Sequence, residues 1–412
     1  MTELITLDIE SIAAGGDGVA RRDSLVVFVP RTAPGDRIVA NIDRQKRFAR
    51  GTVESIETES PLRVEPECAH YQNDDCGGCQ LQHIALTAQQ DAKRSIIRDS
   101  IRRIGKRTIE LPAIRAGSSP WRYRERLSLA LRRRADGSWY AGMHAWNDPS
   151  HVFELHDCKI TQERVIALWR EVMSAADGLP DVPELRATVR VVRDRGALIV
   201  EGGTAWPGAD AFANRLASFD HVWWIPETGR RRSIGAPREP SGPHASFSQV
   251  NPEVGQAMTA FVEEQIVGHS PAHVLDTYAG VGDLAALLHG RGIRVTAVEL
   301  DEDATAHSAS RLKQPSRALS ARVEDLIAKL LPADVVVLNP PRSGLDQRVT
   351  AALETAADKP RAVIYISCDP ATLARDLARM PSWTIVRVTA FDMFPQTAHV
   401  ETVVELAPAD IA

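Results

Sequence analysis

The chain has 412 residues, a formal net charge of −5, and 44% hydrophobic and 25% charged residues. At roughly 150 residues per domain the length implies two or three domains, and the composition excludes both a disordered chain and one that is basic throughout. No apolar run approaches the roughly 20 residues of a membrane span, and the opening MTELITLDIE lacks the order of a secretory signal, so a cytoplasmic protein with no membrane partner is expected.

In chain order, residues 1–62 are expected to form a small β-barrel of the OB-like kind. Apolar or alternating runs at 5–9, 25–29, 37–42 and 51–56 are separated by the turn signals Gly15-Gly16-Asp17-Gly18 and Ala33-Pro34-Gly35-Asp36. Such barrels often bind RNA. Residues 63–240 read as a central α+β region. It opens with Cys68, Cys76, Gly77, Gly78 and Cys79, with Cys158 much later. In a cytosolic chain that spacing favours a metal or cluster over disulfides, and four thiolates could hold a [4Fe–4S] cluster or, as the weaker alternative, zinc. Apolar residues at helical spacing predict a helix over 84–104, ended by Gly105. Strand-like runs follow at 127–131, 187–192 and 197–200. The Pro-, Gly- and Arg-rich segment 206–243 reads as containing a linker. Basic stripes at Arg44–Arg47, 122–134 (beside Trp121 and Tyr123) and Arg230–Arg232 fit solvated faces as readily as RNA contacts.

From 246 to 412 the alternation becomes regular, with strands expected at 274–278, 295–300, 335–338, 363–367, 386–390 and 400–406. This is the pattern of a doubly wound, Rossmann-like α/β domain. Its motifs fall at strand ends. Asp276-Thr277-Tyr278-Ala279-Gly280-Val281-Gly282 leaves the first strand and opens a helix, and Glu299 closes the second. Glycines there admit a ligand to the backbone, and the acid suits ribose hydroxyls, so a nucleoside-cofactor crevice is expected. These residues alone leave NAD and S-adenosylmethionine both open. Asn339-Pro340-Pro341-Arg342 forms a stiff loop after the third long strand, of a kind that base methyltransferases use to hold their target.

Ser367-Cys368-Asp369-Pro370 ends another strand just before a helix, which would favour a thiolate; a buried, inert cysteine is the plain alternative. Glu401, among Val400, Val403 and Val404, could be a desolvated base or an outward-pointing residue. A cysteine and a base together serve methylation at carbon 5 of a pyrimidine. Thiolate addition at carbon 6 makes carbon 5 nucleophilic, and a base then removes the carbon-5 proton.

With these motifs in order (GGDGVA, APGD, CGGCQLQH, FSQVNP, DTYAGVGD, NPPRSGL, SCDPATLARDL, HVET), the chain resembles the uracil-C5 RNA methyltransferase family over nearly its whole length. The likeness is to the branch with an N-terminal TRAM domain and an iron–sulfur cluster. The resemblance implies a class I methyltransferase domain, RNA as partner, with large-subunit ribosomal RNA ahead of transfer RNA, and a monomer. It implies Cys368 as nucleophile and Glu401 as base. Gln249, Tyr278, Glu299 and Asn339 join Gly280 and Gly282 at the S-adenosylmethionine site. Cys68, Cys76, Cys79 and Cys158 become cluster ligands, and Phe247 is the candidate for stacking on the flipped uracil.

The chain departs from the family pattern at Asn339, where Asp is usual, in a longer first cysteine gap, and at Ala279, where Cys is common. Adenine-N6 methylation is a rival reading, but such loops usually carry an aromatic where this chain has Arg342. A non-catalytic RNA-binding relative is a second, favoured by Asn339 alone.

Overall fold

The computed structural model describes residues 3–192, 194–235 and 249–409. Three sheets organise them. The first has six strands in the order Glu3–Asp8, Arg37–Arg44, Ala49–Thr58, Leu25–Val29, Gly18–Arg22 and Ser11–Ile12. Alternation sets its inner face: Ile38, Ala40 and Ile42 are fully or almost fully buried, while Arg37, Asp43 and Arg44 point outward. Two strands were not expected from the sequence, because 18–22 starts inside the glycine turn and 11–12 is a two-residue pairing.

Buried Asp36 closes the sheet onto the next segment. Its carboxylate accepts from Ala33 N at 2.6 Å, Ser60 N at 2.9 Å and the Arg63 guanidinium at 2.7 and 2.9 Å. Those bonds hold its pKa low against the opposing effect of burial.

The central sheet runs Val152–Glu154, Trp139–His144, Arg126–Arg133, Glu184–Val192, Arg195–Glu201, Phe219–Ile225 and Arg232–Ile234. Leu127, Leu129, Leu131, Leu185, Val189, Leu198 and Val200 share one face. They form a core with the helices Glu163–Ser174 and Ala209–Arg215. Much of the expected linker is therefore structured. Residues 209–215, 219–225 and 232–234 complete this sheet and its core, because Phe212, Phe219, Val222 and Trp224 supply apolar faces that the Gly and Arg content hid.

The third sheet has eight strands: Arg317–Ser320, Arg294–Glu299, His273–Thr277, Val335–Leu338, Ala362–Ser367, Glu401–Pro408, Trp383–Asp392 and Ala113–Ala116. The first five are parallel and near-continuously apolar, as strands covered on both faces must be. Glu401–Pro408 is antiparallel to both neighbours. The chain order reverses between His273–Thr277 and Val335–Leu338, the switch point at which such sheets bind ligands.

One expectation is corrected here. The helix Leu86–Arg103 and strand Ala113–Ala116, which the sequence placed in the central region, pack on the C-terminal sheet. Ile97 and Ile101 join its core, and Ala113–Ala116 extends its edge. The helix is tied down by Lys93, fully buried, whose Nζ reaches Asp392 Oδ1 at 2.5 Å and Phe394 O at 3.0 Å. Among the described residues no helix is long and apolar enough to cross a membrane.

Candidate active site

Strand register builds the pair at the centre of the site. The antiparallel ladder ends with Ser367 opposite Thr402, and Cys368, just past the strand end, lies near enough to Glu401 to feel its charge. Valine and isoleucine on both strands fix that register by burying one another. Glu401 is 6% exposed, and Cys368 is half-buried. Burial pushes the Glu401 carboxyl up to about 7, against the pull of the Arg342 guanidinium. The same burial, with the Glu401 charge second, raises the Cys368 thiol, while Arg342 lowers it through charge and a hydrogen bond.

This overturns the expectation that the following helix favours the thiolate. Asp369 caps that helix, accepting from Ala371 N at 2.9 Å and Thr372 N at 2.8 Å. The helix's free donors are thus spent on a carboxylate and are not aimed at sulfur. The Arg342 charge acts on both Cys368 and Glu401. Sequence reading used it only to argue against an adenine site, although a cation on a rigid Pro-Pro loop was the available signal.

The loop carrying Arg342 is anchored by fully buried Asp376. Its carboxylate accepts from Leu345 N and the Tyr365 hydroxyl, each at 2.8 Å, and from Arg375. Asn339 itself is exposed at the end of Val335–Leu338.

On the other side of the switch point, Tyr278, Gly280 and Gly282 all have left-handed backbones, with φ of 56°, 56° and 79°. A Cβ on Gly280 would meet nothing within 4 Å, so the backbone there borders open space. One on Gly282 would strike Ser308 Oγ at 2.1 Å. Glu299 holds the turn by accepting from Gly280 N at 2.9 Å, and from Leu300 N and Asp301 N. Asp276 is buried with Oδ2 unpartnered, and burial reinforced by Glu299 raises it to about 7. An open glycine turn, an orphaned carboxylate oxygen and an acid at the strand end fit a nucleoside cofactor with hydroxyl and amine donors. Gln249 packs against the start of the helix Pro252–Gly268, its Cβ 3.0 Å from the position of a Gly255 Cβ. Phe247 lies outside the described residues.

The four cysteines converge as well. Cys79 feels Cys158, Cys76 and Cys68, and burial pushes its thiol up to about 12; Cys76 stands at about 11 for the same main reason. Cys68, Cys79 and Cys158 share a small apolar cluster with Tyr71, Tyr123 and Ile160. Among the described residues, however, no three or more His, Cys, Asp or Glu side chains form a metal-holding group. The cysteine segment and the active site meet at residues 393–399. Gln396 O accepts from Gln80 N and Leu81 N at 3.2 and 3.0 Å, and Tyr123 Oη donates to Pro395 O at 3.0 Å. Gln89 is hydrogen-bonded to both the backbone and side chain of Gln396.

Known proteins share this architecture. A Pyrococcus abyssi tRNA (uracil-54, C5)-methyltransferase, solved with S-adenosyl-L-homocysteine, superposes with a TM-score of 0.71 over 97% of this chain and 99% of its own, at 22% identity. The fold is that of a class I methyltransferase carrying two further sheets. In sequence, the tRNA (uracil-5-)-methyltransferase family profile matches residues 313–408, the span that holds Asn339, Cys368 and Glu401. An RNA methyltransferase of Protochlamydia amoebophila is 30% identical across 98% of this chain and 99% of its own length. A 23S rRNA (uracil(1939)-C(5))-methyltransferase of Halomonas elongata is 31% identical across 98% and 90%. The chain belongs to the uracil-C5 RNA methyltransferase family.

Proposed function

We propose that this chain methylates carbon 5 of a uridine in 23S ribosomal RNA, through covalent addition of Cys368 to carbon 6. The observation that carries the reading is the juxtaposition of Cys368, just past the end of its strand, with buried Glu401, raised to about 7, at the start of the neighbouring strand. A carboxyl poised near neutrality is suited to take a proton at the working pH. The Cys368 thiolate, supported by Arg342, adds to carbon 6 and places an electron pair on carbon 5. S-adenosylmethionine supplies the electrophilic methyl group that carbon 5 takes, its sulfonium–methyl bond breaking to leave the thioether S-adenosylhomocysteine. Glu401 then removes the proton left on carbon 5, the 5,6 double bond re-forms, and the Cys368–carbon bond breaks to return the thiolate.

Gln249, Tyr278, Gly280, Gly282, Glu299 and Asn339 line the cofactor crevice in this reading. Phe247 stacks on the flipped base, and residues 1–62 act as a TRAM-like RNA-binding barrel. Cys68, Cys76, Cys79 and Cys158 hold a [4Fe–4S] cluster, with zinc the weaker alternative, whose part is to cross-link the segment that docks on residues 393–399. The 23S assignment is supported by the names of full-length relatives from Halomonas elongata and Thiobacillus denitrificans. Transfer RNA is the second reading, supported by the family profile's description.

The test is methylation by purified protein, with tritiated S-adenosylmethionine, of RNA from a strain lacking it. Label recovered as 5-methyluridine in 23S RNA supports the proposal. Label in transfer RNA moves the substrate, and label in another nucleoside overturns the chemistry.

A further inference from the structure

Residues 393–400 join strand Trp383–Asp392 to strand Glu401–Pro408, so this connection leads directly into Glu401, which lies opposite Phe391 in the ladder. Bonds within the connection centre on Thr397, whose N and Oγ1 donate to Phe394 O at 3.2 and 2.8 Å. Its course is otherwise set from outside. Met393 O accepts from Asn251 Nδ2 at 3.4 Å, Phe394 O from Lys93 Nζ at 3.0 Å, and Pro395 O from the Tyr123 hydroxyl at 3.0 Å. At Gln396 the backbone N donates to Gln89 Oε1 at 2.9 Å, and the side-chain Oε1 accepts from Gln89 Nε2 at 3.0 Å. Gln396 O accepts from Gln80 N and Leu81 N. Gln396 is buried and has a left-handed backbone, with φ of 70°. A residue with a side chain rarely adopts that conformation, and keeps it where the surroundings impose it.

Gln89 is the centre of that imposition. It is 1% exposed and stands four residues before Lys93 on the helix Leu86–Arg103, so one helix face presents both to the connection. The orientation of its amide is fixed by its partners. Gln396 N can only donate, and Leu81 O and Ile84 O, at 3.0 and 2.8 Å from Gln89 Nε2, can only accept. One amide thus joins the helix, the stretch after Cys79 and the turn before Glu401. Beside it Lys93 Nζ spans Asp392 Oδ1 and Phe394 O, and Gln90 Nε2 reaches Asp392 Oδ2 at 3.3 Å, which fixes the other end of the connection. Water would serve the polar groups of a surface turn. Here a buried amide holds a left-handed residue five places before a buried carboxylate, and so sets where that carboxylate stands.

Resting on the proposed function, we propose that Gln89 is a positioning residue for the base: with Lys93 it clamps residues 393–396, so that Glu401 stands where it can take the carbon-5 proton. Cys368 and the Arg342 loop belong to other strands, and that loop has its own anchor in Asp376. Addition to carbon 6 and methyl transfer therefore do not depend on the clamp, whereas removal of the carbon-5 proton and release of the RNA do. A misplacement of about 1 Å can cost on the order of 10²-fold in such a step.

The test follows a single turnover of a 23S RNA transcript with tritiated S-adenosylmethionine, quenched in denaturant. It measures the methyl-transfer rate and the decay of the methylated protein–RNA adduct. Gln89→Met keeps the side chain's size and removes its hydrogen bonds. It is expected to slow adduct decay roughly 10- to 100-fold with methyl transfer and KM near wild type. Arg107→Gln is the comparison for a purely structural loss, because Arg107 holds Leu377 O, Met380 O and Trp383 O at the far end of strand Trp383–Asp392. It should lower the melting temperature without accumulating adduct. Adduct decay in Gln89→Met as fast as in Arg107→Gln overturns the proposal. If Gln89→Met fails to fold, Gln396→Gly decides, since glycine suits the left-handed backbone and this change removes the side-chain bond to Gln89. Slowed decay there supports the clamp, and wild-type decay overturns it. Should wild type form neither adduct nor 5-methyluridine, the reaction assignment fails and deuterium exchange judges the clamp alone. Faster exchange of residues 393–402 in Gln396→Gly then supports it, and unchanged exchange overturns it.

Discussion

The Cys368–Glu401 pair and the four-cysteine set flank the same loop, residues 393–399, but are built by opposite means. Glu401 opens one strand and Cys368 directly follows the end of its neighbour, and the register of those two strands is locked by buried valines and isoleucines, so Glu401 cannot shift without turning a whole strand over. The cysteines come from a short helix cap, a glycine turn and a distant loop, with isolated bridges such as Cys76–Ala145 as local support. On the proposed function, the reactive geometry is stored in the sheet, and the cysteine region docks the loop 393–399 against it. Substitutions in the sheet pair should therefore strike the chemistry and spare the fold, and substitutions around the cysteines should do the reverse.

The largest expected effect is at Cys368. Cys368→Ala should reduce methylation to background in a tritium-transfer assay while leaving the melting temperature close to wild type. Glu401→Gln comes next, slowing turnover by roughly 10²- to 10⁴-fold and accumulating protein–RNA adduct on denaturing gels. It also carries a stability sign. Burial raises Glu401 from 4.5 to about 7, so the folded protein holds a proton there that the unfolded chain has released. That contribution is fully present below about 4.5 and lost as pH rises through about 7, on the order of 3 kcal/mol. Above neutral pH, Glu401→Gln should therefore melt higher than wild type. Wild-type activity should climb as pH passes about 7 and the base deprotonates.

On the docking side, Lys93→Met should cost about 3–5 kcal/mol, because it strands buried Asp392 without its partner; thermal melting would show it. Cys79→Ser should lower bound iron and the melting temperature, with the single-turnover methyl-transfer rate changed least of all. Equal losses in stability and single-turnover rate would erase the distinction between the two regions.

The sequence made the regular part of the fold visible. The parallel strands are apolar almost throughout, and the motifs fall at their ends, so both Cys368 and the glycine turn could be placed. Glu401 was ambiguous because a lone strand does not reveal which neighbours it lies between; flanked by Ala362–Ser367 and Trp383–Asp392, it is buried from both sides. Strand 113–116 was invisible because four residues make a weak period, and its pairing partner lies far along the chain. The raised thiol of Cys368 was hidden because its burial and the Glu401 charge beside it arise only in three dimensions, and the helix donors that would have offset them are taken by the Asp369 cap. Asp376 went unremarked because a charged residue on an amphipathic helix reads as solvent-facing until its loop partners are in place.

The central claim is the covalent partnership of Cys368 with a uracil whose carbon-5 proton Glu401 removes. The most direct measurement incubates the protein with S-adenosylmethionine and 5-fluorouridine-substituted 23S RNA, then maps the adduct by mass spectrometry. Fluorine cannot leave as a proton does, so the account predicts a methylated adduct trapped on the peptide containing Cys368 and absent from Cys368→Ala. Methylation of normal RNA with no trapped adduct, or an adduct that survives Cys368→Ala, would contradict it.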